Sequence, residues 1–125
     1  MMSKRNLKLN QLFSDNVEFT KDVEGDLAKF DGSSLFQIIK VINKVAENPK
    51  PYNEGGYGMP LRNSNYSKLA NYCKIKIKKP NVRIIYKVKK DNDKMVIIIV
   101  AARADDYVYK EADKRIRKFD GILQP

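Results

Sequence analysis

Three strand-like runs in the second half of the chain place the tightest limit on its fold. Apolar and cationic side chains alternate in "NYCKIKI" (71–77), and "VRIIYKV" (82–88) alternates in the same way. A period of two is the pattern of a β-strand. The third run, "MVIIIVAAR" (95–103), is apolar on both faces, as in a central strand. Because the polar turns "KKPN" and "KKDNDK" separate the runs, we predict an antiparallel meander.

Segments with helical spacing of apolar residues flank this meander on both sides. They cover residues 20–30, 35–48 and 105–119. Thr20 is a candidate N-cap for the first segment, and Pro49 ends the second. The sequence therefore predicts an α+β domain, in which an N-terminal helical hairpin and a C-terminal helix pack on a small, mainly antiparallel sheet.

The remaining segments set the predicted domain boundaries. We expect residues 1–15 to form a partly mobile extension, 16–119 a single domain beginning with a short strand "VEF" (17–19), and 120–125 a tail. The glycine-rich loop 49–68 lacks both the preceding strand and the lysine-serine ending of a nucleotide-binding loop. It is therefore interpreted as a structural connection.

Two residue counts exclude several classes of site. The chain contains no histidine and one cysteine, Cys73, so it forms no intrachain disulfide and cannot use Ser-His-Asp or Cys-His catalysis. A transition-metal site is not expected for the same reason, and no cofactor is expected. The longest apolar run (95–102) has strand length, and the N-terminal stretch lacks a secretory apolar region, so a cytoplasmic protein without membrane contact is predicted.

The net charge of +10 is unevenly distributed along the chain. Residues 1–61 contain eight basic and eight acidic residues, whereas residues 62–125 contain 17 basic and seven acidic ones. A one-sided excess of this kind is typical of a surface that binds a polyanion. The alternative interpretation is a solvated basic face that maintains solubility.

The cations of the meander are the main candidates for function. With suitable register, Lys74, Lys76, Arg83 and Arg103 would converge on one face of the sheet. Lysines on an outer strand can instead protect a sheet edge from aggregation, which would explain Lys74, Lys76 and Lys78 but not the arginines.

A cluster of cations can also cleave RNA. Attack by the neighbouring 2′-hydroxyl requires a base, stabilisation of charge at phosphorus, and an acid for the 5′-oxygen. Because neighbouring positive charges disfavour the ammonium form, a clustered lysine has a lowered pKa and can replace histidine. Arginine suits phosphate contact instead.

The segments "CKIKIKKPNVRIIYKV" and "VIIIVAARADDYVYKEADKRI", together with "VEFTKDVEGDLAKFD", "IIKVINKVAENP" and "GMPL" upstream, resemble the RelE/ParE superfamily of bacterial toxin–antitoxin toxins, on the RelE side. The resemblance covers about residues 16–119. It implies a RelE-like (microbial-RNase-like) fold and a metal-independent endoribonuclease that cleaves mRNA on the ribosome. It also implies an acidic antitoxin as partner.

The resemblance carries five catalytic candidates onto this chain. It implies Lys76 as general base, Lys74 as phosphate ligand, Arg83 as stabiliser of the phosphorane, Arg103 as assistant to the leaving group, and Tyr109 as the residue that stacks on or orients the substrate. Further RNA-binding candidates are Lys78, Lys79, Lys87 and Tyr107.

Two departures from the family pattern concern the shape of the pocket. Val82 replaces an aromatic residue that commonly precedes the arginine, and Ala101-Ala102 stands where a glycine often precedes the terminal arginine. Two alternative functions stay open: a ParE-like inhibitor of DNA gyrase, and a non-catalytic module that binds RNA or the ribosome.

Overall fold

A five-stranded sheet is the centre of the molecule in the computed structural model, which describes residues 11–61 and 72–123, without the side chains of residues 119–123. Helices pack on both of its faces. The elements are β1 (Val17–Phe19), α1 (Lys21–Leu27), α2 (Gly32–Ala46), β2 (Met59–Pro60), β3 (Cys73–Ile77), β4 (Val82–Val88), β5 (Met95–Ala101) and α3 (Asp105–Leu123).

The strand order in the sheet is β1-β5-β4-β3-β2. The β2–β3, β3–β4 and β4–β5 pairs are antiparallel, and β1 joins β5 in parallel. The predicted meander and the short strand "VEF" are both confirmed. The fully apolar β5 lies between β1 and β4 and is covered on both faces, which explains why it does not alternate.

The first face of the sheet carries α1 and α2. The Asp31 side chain accepts a hydrogen bond from the backbone N of Ser34 (2.9 Å), so α2 begins at Gly32, earlier than residue 35. The predicted apolar stripe of α2 faces the sheet, with Leu35 partly buried. Its fully buried members are Ile38, Ile39, Ile42, Val45 and Ala46.

The second face carries α3, whose residues Val108, Ala112 and Ile116 are buried as predicted. They pack with Ile85, Ile98 and Ile99 of the sheet and with Leu61. Phe119 continues the same helical spacing of apolar residues and was expected on the same stripe, but its side chain is outside the described residues. The helix continues to Leu123, and residues 124–125 are not described. In the described part of the chain, none of the helices has the length and apolar character needed to cross a bilayer.

A buried ion pair connects α1, β5 and α3 at the edge of β5 that β1 leaves uncovered. The Asp26 carboxylate receives hydrogen bonds from Arg115 (2.7 and 2.9 Å) and from the backbone N of Val100 (3.0 Å). Arg115 also donates to the carbonyl of Ile98 (2.9 Å). Burial opposes the charge on Arg115, but its bonds to Asp26 and Glu111 outweigh this effect and raise the pKa of the guanidinium.

The described part of the glycine-rich loop, 49–61, is a tight structural connection, as predicted. A side chain at Gly58 would collide with the Tyr86 hydroxyl and approach the Cys73 sulfur to 3.1 Å. The buried Tyr86 hydroxyl donates a hydrogen bond to the carbonyl of Pro49 (2.7 Å) and so fixes the start of the loop. Residues 62–71, which include the rest of this loop and Asn71 of the first predicted strand, are outside the described residues.

The packed part of the chain begins before residue 16. Phe13 is buried in the core on the α1–α2 side, and its ring centroid lies 5.1 Å from that of Phe19. Asn43 of α2 accepts a hydrogen bond from the backbone N of Ser14 (2.9 Å) and donates one to the carbonyl of Leu12 (3.0 Å). Residues 1–10 of the expected extension are outside the described residues.

Candidate active site

The strand register brings three of the predicted cations to one face of the sheet. Lys76 on β3 lies directly opposite Arg83 on β4, and Lys74 is two residues from Lys76 on the same strand. Because residues two apart share a face, all three point to the side that carries α3. We call Lys74, Lys76 and Arg83 the cationic cluster.

Lys74 is fixed by a tyrosine of α3. Its side chain is 20% exposed, and its ammonium donates a hydrogen bond to the Tyr109 hydroxyl (3.0 Å). The ammonium also lies 5.7 Å from the centroid of the Tyr109 ring. Tyr109 itself packs against the core between α3 and the sheet. Two candidates that are 35 residues apart in sequence are therefore in direct contact.

Arg83 is held by two acceptors near the end of β4. Its Nε donates to Oδ1 of Asp105 (2.7 Å), and its Nη1 donates to Oδ1 of Asn81 (2.8 Å). The side chain is 14% exposed. A guanidinium held in this way has lost most of its rotational freedom before any ligand binds, which favours precise contact with a planar or tetrahedral anion.

Asp105 is a member of the site that the sequence analysis did not select. The oxygen that does not contact Arg83 lies 3.9 Å from the Lys74 ammonium, so one carboxylate faces two cations of the cluster. Asp105 is the first residue of α3, and the pattern of the sequence indicated only a favourable interaction with the helix dipole. The sequence did contain one indication that Asp105 lies near the site. It precedes the candidate Tyr109 by four residues, and residues i and i+4 share one helical face.

Lys76 is the exposed member of the cationic cluster. It is therefore the cation of the cluster with the freest approach to a substrate. Lys78 and Lys79 lie beyond β3 in the turn to β4 and are also exposed. They extend the positive surface past the cluster without contacting Lys74 or Arg83.

Arg103, in the connection between β5 and α3, forms a separate contact with Tyr107 in the first turn of α3. The guanidinium carbon of Arg103 lies 4.4 Å from the centroid of the Tyr107 ring, within the range of a cation–π interaction. Arg103 is exposed and Tyr107 is 42% exposed. Ala101 on β5 lies opposite Arg83 of the cluster, and Arg103 comes two residues after Ala101 in the chain.

Lys87 lies outside the cationic cluster. It is four residues from Arg83 along β4, which corresponds to about 13 Å of strand. It lines a groove of about 490 Å³ between the sheet, the start of α1 and α3. Val96, Ile98 and Ile116 form part of the same wall.

Edge protection explains only part of this arrangement. The short strand β2 covers Cys73 and Lys74 of β3 and leaves Lys76 beyond its end, so Lys76 fits the protective role. Arg83, however, lies on β4 between β3 and β5, where no edge needs protection.

The chemistry of the site is that of an anion-binding cluster with three cations and one carboxylate. A phosphate that met Lys76 and Arg83 together would have charge stabilisation from the arginine and a proton-transfer group in the lysine. Cys73 points to the opposite face, and burial raises the pKa of its thiol, so it is no nucleophile for this site. Among the described side chains, those of residues 11–61 and 72–118, no three acidic or cysteine side chains are placed together to hold a metal ion.

Comparison with known proteins connects this geometry to a family. Residues 17–107 match the family described as the ParE toxin of the type II toxin–antitoxin system parDE. Among curated proteins, sequence comparison finds no significant match.

Solved structures that resemble the chain include the E. coli toxin RelE and a toxin–antitoxin complex. A mutant of the Escherichia coli toxin RelE in the free state is 24% identical, with a TM-score of 0.61, over 80% of this chain and 95% of that one. The isolated E. coli RelE toxin is 25% identical, with a TM-score of 0.54, over 80% and 96%. The toxin–antitoxin complex RelBE2 from Mycobacterium tuberculosis is 24% identical, with a TM-score of 0.54, over 71% of this chain and 91% of that one.

Proposed function

The chain belongs to the ParE toxin family of type II toxin–antitoxin systems, and we propose that it acts as a RelE-like endoribonuclease that cleaves mRNA on the ribosome. Cleavage proceeds by attack of a 2′-hydroxyl on the adjacent phosphate and needs no metal or histidine. The product is a broken message, and the consequence is arrest of translation.

The opposition of Lys76 and Arg83 across the β3–β4 pair is the observation that supports this proposal most strongly. Directly opposite side chains have Cβ atoms about 5 Å apart, close enough for both to reach one phosphodiester. In the proposed mechanism Lys76 takes the proton from the 2′-hydroxyl, and Arg83 stabilises the charge on the pentacoordinate phosphorus. Lys74, oriented by Tyr109, contacts a non-bridging oxygen.

Arg103 and Tyr107 complete the proposed site on its exposed side, where β5 leads into α3. The exposed Tyr107 ring offers a face for a base, and Arg103 lies against that ring. We propose that RNA draws the guanidinium of Arg103 towards the cluster, where it stabilises the charge on the leaving 5′-oxygen as the P–O5′ bond breaks and water supplies the proton. Lys78 and Lys79 contact neighbouring phosphates, and their contribution depends on salt concentration.

Inhibition of DNA gyrase is the second candidate function, because the matching family is named for ParE. In that case the cationic cluster would make protein contacts only. The two functions differ in their cellular consequence, since a gyrase inhibitor changes DNA supercoiling and leaves mRNA intact.

An antitoxin is the proposed partner that keeps the toxin inactive. Three of the similar structures contain an antitoxin or a piece of one, two from E. coli and one from M. tuberculosis. A chain with a net charge of +10 favours an acidic partner through electrostatic steering and charge neutralisation. Copurification with a small acidic protein encoded beside it is the expected result, and isolation without any such partner would contradict this part of the proposal.

The nuclease is tested by replacing Lys76 and measuring cleavage of a defined mRNA on purified ribosomes. We expect Lys76→Ala to lower the cleavage rate by at least about 100-fold, because the transfer of the 2′-hydroxyl proton loses its base. Lys90→Ala is the matched control, since Lys90 is also an exposed lysine but lies in the β4–β5 loop. Equal rates for the two variants would remove Lys76 from the mechanism.

A further inference from the structure

The Asp105 carboxylate lies against two of the three cations of the cationic cluster, as a bound anion would. Its Oδ1 accepts a hydrogen bond from Arg83 Nε at 2.7 Å, and its Oδ2 lies 3.9 Å from Lys74 Nζ. A carboxylate that spans two cations makes the same kind of contact that a phosphate makes with them.

The side chain of Asp105 can leave this position without unfolding the helix. It is 41% exposed, whereas the side chains of Arg83 and Lys74 are 14% and 20% exposed. The anion is therefore the more exposed member of the arrangement, and the two cations are the more constrained ones. Rotation of this one short side chain would remove the carboxylate from both cations, while Asn81 and Tyr109 would keep their bonds to Arg83 and Lys74.

The first turn of α3 contains a second aspartate in an otherwise similar position. Asp106 is also in the first turn and has the same favourable interaction with the helix dipole. It is exposed, and it is not part of the contacts of Arg83 or Lys74. The helix start therefore explains why acidic residues are present but not why one of them is aimed at the cluster.

We propose that Asp105 is an internal competitor for the phosphate of RNA. In the free protein its carboxylate neutralises Arg83 and Lys74, and RNA binds by exchanging a phosphate for this carboxylate. The exchange lowers the affinity for polyanions in general and holds Arg83 in a binding orientation until the phosphate arrives. Asp105 is thus a positioning residue, and this inference rests on the proposed function of the cluster.

The test compares the affinity of the intact chain and two variants for a short oligoribonucleotide with 2′-O-methyl groups, which cannot be cleaved. Fluorescence anisotropy at one fixed salt concentration gives the dissociation constants. Asp105→Asn and Asp106→Asn remove the same charge from the same helical turn. We expect Asp105→Asn to bind at least about fivefold more tightly than Asp106→Asn, because it also removes a charged hydrogen bond that competes with RNA. Asp105→Glu, which restores the charge, is expected to return the affinity towards that of the wild type.

Equal affinity of the two asparagine variants, or weaker binding by Asp105→Asn, would overturn the inference. If Asp105→Asn does not fold, as judged by its thermal unfolding, Asp105→Ser provides the same comparison, since serine is well tolerated at helix starts. The outcome is separate from the proposed function because no cleavage is measured. A ribosome assay without cleavage would contradict the nuclease even if the exchange of anions were present.

Discussion

Tyr109 shows how one residue can connect the core to the candidate site. Its ring packs beside the buried residues of α3, and its hydroxyl accepts the hydrogen bond that orients the ammonium of Lys74. Because the hydroxyl is rigidly attached to the ring, packing of the ring also fixes the position of the hydroxyl. The role proposed for Lys74 as a phosphate ligand depends on this orientation.

We therefore expect Tyr109→Phe to lower the rate of mRNA cleavage about tenfold while leaving thermal stability nearly unchanged. The ring and its packing remain, but Lys74 loses the acceptor that fixes it. Tyr107→Phe is the matched control, because the exposed Tyr107 contacts Arg103 through its ring and keeps that contact without the hydroxyl. A Tyr109→Phe variant as active as Tyr107→Phe would exclude the hydroxyl from the mechanism.

For individual residues, the sequence indicated the chemistry of the candidate site but not the contacts between its side chains. Alternation along β3 and β4 was sufficient to place Lys74, Lys76 and Arg83 on one face. The carboxylate of Asp105 was missed because acids at a helix start have an ordinary explanation, and because the position of α3 over the sheet is a tertiary feature. Lys87 shares the face but not the cluster, since distance along a strand also matters.

Among the described ion pairs, Asp26–Arg115 is the most buried, and it connects a helix to a strand and to a second helix. It closes the part of β5 that the short strand β1 does not reach, and it holds α3 to α1 across that edge. The position of α3 matters for the proposed function because its first two turns bring Asp105 and Tyr109 to the cationic cluster.

Asp26→Asn is expected to lower the free energy of unfolding by about 3 kcal/mol, because Arg115 keeps its buried charge and loses its bidentate partner. Asp22→Asn serves as control, since Asp22 lies in the same helix and is exposed. Denaturation by urea, followed by circular dichroism, measures the difference. Identical unfolding midpoints for the two variants would show that the pair is not a determinant of stability.

The elements and the antiparallel pairing of the meander followed from local pattern, but the side-chain contacts between distant elements did not. Strand β4 was predicted with its observed bounds, and the apolar β5 was correctly predicted as central. Asp26 and Arg115 are 89 residues apart, and a hydrophobic period shows which side of a helix is buried but not what covers it. The burial of Phe13 was missed for the same reason, because a single aromatic residue has no period.

The whole molecule has an uneven charge distribution that agrees with its layered structure. The first half of the sequence supplies the helical hairpin and is neutral, and the second half supplies β3, β4, β5 and α3 together with the excess of +10. The positive charge is therefore concentrated in the part that contains the candidate site. This distribution favours rapid association with a polyanion or with an acidic partner.

The most direct test of the proposed nuclease is primer extension on a reporter mRNA after brief induction of the toxin in cells, with Arg83→Ala and Lys90→Ala induced in parallel. We predict discrete cuts within translated codons for the wild type and for Lys90→Ala, and their loss in Arg83→Ala, because the phosphorane loses its stabilising charge. Growth arrest by the wild type with intact mRNA, or undiminished cuts by Arg83→Ala, would contradict the account.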